Sequence, residues 1–242
     1  MELSDLKNRD IDVCLVSSGA MAIGRQLLGE SHKSKQLPIN QMHASVGQAR
    51  LMGIYQKYLM EYNQICGQVL MTKNTMLNDL SRKNAQNAFL ALLDRGVIPI
   101  VNNNDTVSTY EIEFGDNDTL SAIVTALIGA DLLIILTDTE GLYSSDPKSN
   151  PDAALIPVVK RIDDDIIALA SDRPGSDFGT GGMRTKVSAA AIATASGADV
   201  IIASGDDVSI LHKIFENDYT GTLFESNYDD NFDLLNAIER MD

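Results

Sequence analysis

Four short segments of the chain concentrate residue types able to hold an anion or an amine. Gly179-Thr180-Gly181-Gly182-Met183-Arg184-Thr185-Lys186 is a glycine-rich loop that opens a helix and carries a lysine on its first turns. Without Cβ atoms in the way, backbone N–H groups can approach phosphate oxygens, and the lysine adds a compact positive charge. Lys186 follows Gly182 by four residues, so the spacing is not that of a P-loop. Asn102-Asn103-Asn104-Asp105 follows an apolar run ending at Val101; Asp105 could receive an ammonium group and the asparagines could orient a carboxylate, while turn chemistry alone also favours Asn and Asp. Gly115-Asp116-Asn117-Asp118 precedes a helix from Leu120 and sets two carboxylates around an amide. Capping near the positive end of the helix is one account of that composition; two carboxylates plus an amide exceed what one cap requires, and orienting a lysine, a metal ion or a substrate amine is the other. Ser17-Ser18-Gly19-Ala20 is a small-residue turn into a helix, suited to a carboxylate or phosphate and equally to an ordinary N-cap.

A fifth segment joins Thr137-Asp138 to Gly141-Leu142-Tyr143 and Asp146-Pro147, where hydroxyl, carboxylate and aromatic face could hold a nucleoside or simply form a surface turn. His32, His43 and His212 lie outside all of these segments, so neither a Ser–His–Asp nor a Cys–His constellation is supported. Cys14 and Cys66 sit in apolar surroundings without CxxC spacing and read as buried free thiols of a reducing cytoplasm.

The elements that must position these segments are visible in the apolar pattern. Runs at 12–17, 67–71, 97–101, 131–137 and 199–203 alternate with helical patterns such as Phe89, Leu90, Leu92 and Leu93, or Ala122, Ile123, Ala126 and Leu127. That alternation predicts an α/β fold with a mostly parallel sheet between helices. In such folds ligands bind beyond the carboxyl ends of strands, where most of the five segments lie. Residues 1–9 read as the last turns of a helix, and the acidic tail 225–242 as a terminal helix on Leu234, Leu235 and Ile238 or a frayed end.

The 242 residues, 44% apolar, read as one large domain. Thirty-four acidic against 19 basic residues give a formal charge of −15 with no basic stripe, which disfavours nucleic acid. Anionic ligands would require local positive sites built against that field. No apolar run approaches the roughly 20 residues of a membrane span, and residues 1–10 are too polar for a signal peptide.

Taken in order, Val16-Ser17-Ser18-Gly19-Ala20, Val46-Gly47-Gln48, Pro99-Ile100-Val101-Asn102 through Asp105, Phe114-Gly115-Asp116-Asn117-Asp118, Leu136-Thr137-Asp138 with Gly141-Leu142-Tyr143, and Gly179 through Lys186 resemble the bacterial glutamate 5-kinases of the amino-acid kinase family. The resemblance runs from residue 12 to residue 224. The Thr-Asp and Gly-Leu-Tyr elements are shared across amino-acid kinases; the asparagine, Phe-Gly-Asp-Asn-Asp and glycine-rich segments are more specific. It implies the amino-acid kinase fold, with ATP and glutamate in adjacent halves of a groove along the strand ends. By matching positions, Ser18, Asp105 and Asn117 would bind glutamate and Thr137 and Asp138 the nucleotide. Thr180, Gly181, Gly182, Met183, Arg184, Thr185 and Lys186 would hold the ATP phosphates. Lys186 would stabilise charge on the transferring group, Asp118 would orient lysines, and Mg²⁺ would accompany ATP. No general base is needed, because a carboxylate with a pKa of about 4.3 is already ionised near neutrality. The product, γ-glutamyl phosphate, would pass to glutamyl-phosphate reductase in proline biosynthesis, with proline as feedback inhibitor and a cytoplasmic homo-oligomer as the working form.

Three departures accompany the resemblance. The family opens with a strand and a Lys-x-Gly-Thr/Ser turn, which nothing in residues 1–9 matches, so residues 1–224 read as an N-terminally incomplete kinase domain. Asn103 stands where the family usually has Glu. No PUA domain follows residue 224. The competing expectations are another amino-acid kinase or a remnant that binds glutamate and nucleotide without transfer.

Overall fold

The computed structural model describes residues 1–32, 34–108, 116–147, 149–171 and 182–239. The chain divides into two compact units, one from Leu3 to Asn117 and one from Asp118 onward.

The first unit contains α1 (Glu2–Asn8), β1 (Leu15–Val16), α2 (Ala20–Leu27), α3 (Leu37–Met60), β2 (Cys66–Met71), α4 (Lys73–Leu77), α5 (Asp79–Asp94) and β3 (Ile98–Asn103). Its strands pair in parallel in the order β1-β3-β2. The central strand is covered on both faces, which is why Ile98, Ile100 and Val101 form an uninterrupted apolar run with no exposed surface. Met52 and Leu59 of α3 join Ile98 and Ile100 in the core. Helix starts are fixed by side chains: Thr72 and Thr75 form a capping box at α4, and the Asn78 carboxamide oxygen accepts from the Ser81 N–H at α5.

Two glycines set the distance between α2 and α3. A Cβ on Gly24 would lie 1.9 Å from the His43 carbonyl oxygen, and one on Gly47 would lie 1.7 Å from that of Ala20. The helices touch backbone to backbone, and only glycine allows it.

The second unit contains α6 (Asn117–Ile128, its first residue at the boundary), β4 (Leu132–Thr137), β5 (Val158–Val159), α7 (Asp164–Ser171), α8 (Met183–Ala195), β6 (Asp199–Ser204), α9 (Ile210–Phe215), β7 (Thr222–Phe224) and α10 (Leu234–Glu239). The strand order is β4-β6-β7-β5; β4/β6 and β5/β7 are parallel and β6/β7 antiparallel. Ala189, Ala190 and Ala193 of α8 are fully buried in the core with Leu133, Val200 and Ile202, small side chains that let the helix lie close. Thr222 ties the unit's irregular segments together: its hydroxyl accepts from the Leu142 N–H at 2.8 Å and donates to the Ile156 carbonyl at 2.7 Å. Ile238 of α10 is buried, and Phe232 and Leu234 pack against the same core.

Parallel pairing dominates, as the alternation of apolar runs implies. Sequence reading missed β5 and β7, whose two and three residues are too short to show a period. It also ended the third run at Val101, whereas β3 continues to Asn103 because Leu70↔Asn102 and Met71↔Asn103 extend the ladder with β2. The helix expected from Leu120 begins at Asn117, so Asn117 and Asp118 occupy its first turn rather than a preceding loop. Among the described residues no helix is long and apolar enough to cross a membrane.

Candidate functional site

In the first unit, β1 runs directly into the Ser17-Ser18-Gly19 turn. Ser17 is buried; its N–H donates to the Val101 carbonyl at 2.9 Å, and its hydroxyl shares a 2.7 Å hydrogen bond with Tyr55 of α3. Ser18 is exposed, and Gly19 takes a left-handed φ of 99° as the N-cap of α2. Glycine as cap brings no capping side chain to the first N–H groups of α2, a helix start suited to an anion.

The end of β3, the strand that pairs with β1, carries a network of carboxamides. The Asn103 N–H donates to Asn102 Oδ1 at 2.9 Å, and Asn117 Nδ2 donates to the same oxygen at 3.3 Å. Asn102 Nδ2 donates to Gln48 Oε1 at 3.1 Å, and Asn103 Nδ2 to Asn117 Oδ1 at 3.1 Å. Of the sequence-predicted glutamate residues, Asn117 lies inside this network; Asp105 follows β3 by two residues and is half-buried. Gln48 had entered only as part of the Val-Gly-Gln resemblance. Its signal was available: buried positions 43, 44, 47, 48, 51 and 52 trace one face of α3, and Gln48 is, with His43, a polar residue on that face.

In the second unit, Lys186 is 8% exposed and its ammonium donates to Asp118 Oδ2 at 3.0 Å. The Thr185 hydroxyl reaches the same oxygen at 3.1 Å and the Gly182 carbonyl at 2.8 Å. A cation in the opening turns of α8 works against the helix dipole. With Gly182 as an N-cap lacking a side-chain bond, helix dipole and ammonium add to one local positive site in a strongly acidic chain. Met183 is buried and Arg184 exposed on the same turn. Thr180 and Gly181 lie outside the described residues.

Thr137 ends β4, where its hydroxyl donates to Asp138 Oδ1 at 3.1 Å and its carbonyl accepts from the Gly205 N–H at 2.7 Å. Asp138 is exposed, and the Thr139 hydroxyl in the same turn is buried with no partner among the described residues. Past β6, the O–H and N–H of Ser209 hold the exposed Asp207 carboxyl below its usual range. Burial pushes the Cys14 thiol up to about 12, which removes it as a nucleophile near neutrality. Among the described residues no group of three or more His, Cys, Asp or Glu is placed to hold a metal.

Residues 1–204 match the model of the amino acid kinase family. The chain is 48% identical over 225 residues to the glutamate 5-kinase of Clostridium tetani, spanning 93% of this chain and 84% of that protein. It is 46% identical over 230 residues to the glutamate 5-kinase of Listeria monocytogenes, spanning 93% and 83%. Among solved structures it is similar to an isopentenyl phosphate kinase product complex of T. acidophilum, with a TM-score of 0.61 at 18% identity over 92% of this chain and 88% of that one. It is also similar to the UMP kinase of Ureaplasma parvum, with a TM-score of 0.58 at 11% identity over 93% and 87%.

Proposed function

The chain belongs to the amino acid kinase family and, within it, to the glutamate 5-kinases, and on that premise we propose that it transfers the γ-phosphoryl group of ATP to the side-chain carboxylate of L-glutamate. The geometric observation that carries the reading is the buried Lys186, held by Asp118 in the opening turns of α8. An ammonium fixed at a helix N-terminus is suited to phosphate oxygens and to the charge that gathers on a phosphoryl group in flight. Asp118 and Thr185 keep that ammonium in one place, so little reorganisation remains at the moment of transfer. In this reading Met183, Arg184, Thr185 and Gly182 line the phosphates, with Thr180 and Gly181 completing the loop. Thr137 and Asp138 contact the nucleoside.

Ser18, Asp105 and Asn117 would hold glutamate: carboxamide and backbone N–H groups for the carboxylates, Asp105 for the ammonium. The acceptor carboxylate is ionised at neutral pH and needs no base. Mg²⁺ would arrive on the phosphates, which supply oxygen ligands of their own. The product would be consumed by glutamyl-phosphate reductase, with proline as feedback inhibitor, in a cytoplasmic homo-oligomer.

The test is ADP release by the purified chain with L-glutamate, its product trapped as γ-glutamyl hydroxamate, beside ADP release with UMP, isopentenyl phosphate, aspartate and N-acetylglutamate as acceptors. Turnover confined to glutamate is expected. Turnover with another acceptor and none with glutamate would overturn the reading; glutamate and ATP binding without turnover would move the chain to a binding role.

A further inference from the structure

Among the described residues only two lysine or arginine side chains are buried, Lys186 in the second unit and Lys73 in the first. Lys186 has its place in phosphoryl transfer; Lys73, 7% exposed, has been given none. An ammonium is costly to take out of water and is kept there only where negative charge faces it. The sheet fixes where Lys73 stands. The parallel ladder of β2 and β3 ends at Met71↔Asn103, and the Asn104 N–H donates to the Met71 carbonyl at 2.8 Å. Lys73 and Asp105 each lie two residues past that last pair, so both follow the carboxyl ends of neighbouring strands, on one edge of the sheet. β1, on the other side of β3, ends on the same edge in the Ser17-Ser18-Gly19 turn. From one side to the other, the three strand ends lead into a small-residue turn, a carboxylate among carboxamides, and a buried ammonium.

The charge of the acceptor gives that ammonium a use. Glutamate brings two carboxylates and one ammonium. Ser18, Asp105 and Asn117 answer the ammonium with a carboxylate, yet offer the two carboxylates no cation, in a chain of formal charge −15. We propose that Lys73 is a substrate-binding residue that pairs with the α-carboxylate of glutamate, beside the substrate ammonium at Asp105. The assignment rests on the reading of these strand ends as the glutamate site. An amino acid carries its ammonium and its α-carboxylate on one carbon, and Asp105 and Lys73 offer the two opposite charges from neighbouring strand ends. The γ-carboxylate is the poorer partner. It must give a lone pair to phosphorus, and an ammonium clamped on the attacking oxygen would hold that pair back. The α-carboxylate keeps its charge throughout the transfer, so a fixed cation can serve it before and during the reaction alike.

Titration calorimetry of the whole chain decides, with L-glutamate, with L-isoglutamine, whose α-carboxylate is replaced by an amide, and with ATP. Each is run on the parent chain and on Lys73→Met, and a thermal melt accompanies both. The parent is expected to prefer glutamate to isoglutamine. Lys73→Met should bind glutamate roughly 10–100-fold more weakly, as loss of a charge-assisted hydrogen bond does, while isoglutamine and ATP bind as before, so that the preference closes. Equal weakening of glutamate and isoglutamine would move Lys73 to the γ-carboxylate or to a structural role, and overturns the proposal. A parent chain that binds the two amino acids alike overturns it as well. If Lys73→Met binds glutamate as the parent does, the Lys73 contact is wrong and the glutamate site stands. If the parent binds ATP but no glutamate, the reading of the site fails and takes this one with it. Should the melt show Lys73→Met unfolded, Lys73→Gln, which keeps a polar tip without the charge, is put through the same comparison.

Discussion

The same substitution at two positions of α3 should change stability in opposite directions. At Gly47 an alanine Cβ would sit 1.7 Å from the Ala20 carbonyl oxygen, 2.6 Å from the Gly24 nitrogen and 2.7 Å from the Ala20 carbonyl carbon. Optimal carbon contacts lie at about 3.5–4.0 Å, so α2 must retreat by roughly 1.5 Å or more. Every opposing atom is backbone, so no rotamer change can absorb the overlap. Overpacking of this kind costs about 3 kcal/mol at the upper end of its ordinary range. Alanine returns about 1 kcal/mol over glycine in a helix interior, leaving a net loss of about 2 kcal/mol. For a chain of this size that is a fall of about 4–8 °C in melting temperature. Gly53, six residues along and exposed, has no atom within 4 Å of the place a Cβ would take, so Gly53→Ala keeps only the helix gain, about +1 kcal/mol. Urea denaturation followed by circular dichroism measures both. Because α2 begins at the Ser18-Gly19 turn, Gly47→Ala should also weaken glutamate binding, whereas Gly53→Ala should not. A neutral or stabilising Gly47→Ala would refute the close-approach reasoning outright.

Lys186→Met should lower hydroxamate formation by about 100-fold or more in a rate assay at saturating ATP, as loss of a preorganised charge does. Thr222→Val leaves the Leu142 N–H and the Ile156 carbonyl without their hydroxyl partner and should cost about 2–4 kcal/mol in urea unfolding. Cys14 gives a pH dependence. Its folded value near 12 stands above the ordinary 9.0, so above pH 9 the unfolded chain sheds a proton that the folded chain keeps. Stability from this group is complete below pH 9 and is lost as pH rises toward 12, at no more than about 1.4 kcal/mol per unit. The stability difference between the parent chain and Cys14→Ala, followed by urea melts from pH 8 to 11, should narrow correspondingly.

Burial on both faces made β3 and β6 legible, because such strands must be apolar without interruption. β1 was overread at both ends: only Leu15 and Val16 pair as a strand, since the pairing depends on where β3 runs and not on how far the apolar run extends. The pairing of Asp118 with Lys186 joins residues 68 positions apart, and no local spacing could reveal it; resemblance alone suggested that Asp118 orients lysines. The carboxamide network was hidden for a different reason. Asn at a strand end and Gln on a helix each have ordinary local explanations, and their meaning lies in which atom faces which.

Asparagine and glutamine are among the least durable side chains in a warm protein. The network at the end of β3 is built from four of them. Slow hydrolysis of Asn102 or Asn117 to an acid alters almost no volume, yet it places an acceptor where Gln48 Oε1 or Asn102 Oδ1 needs a donor. Chemical ageing of this protein should therefore register as lost recognition well before it registers as lost fold.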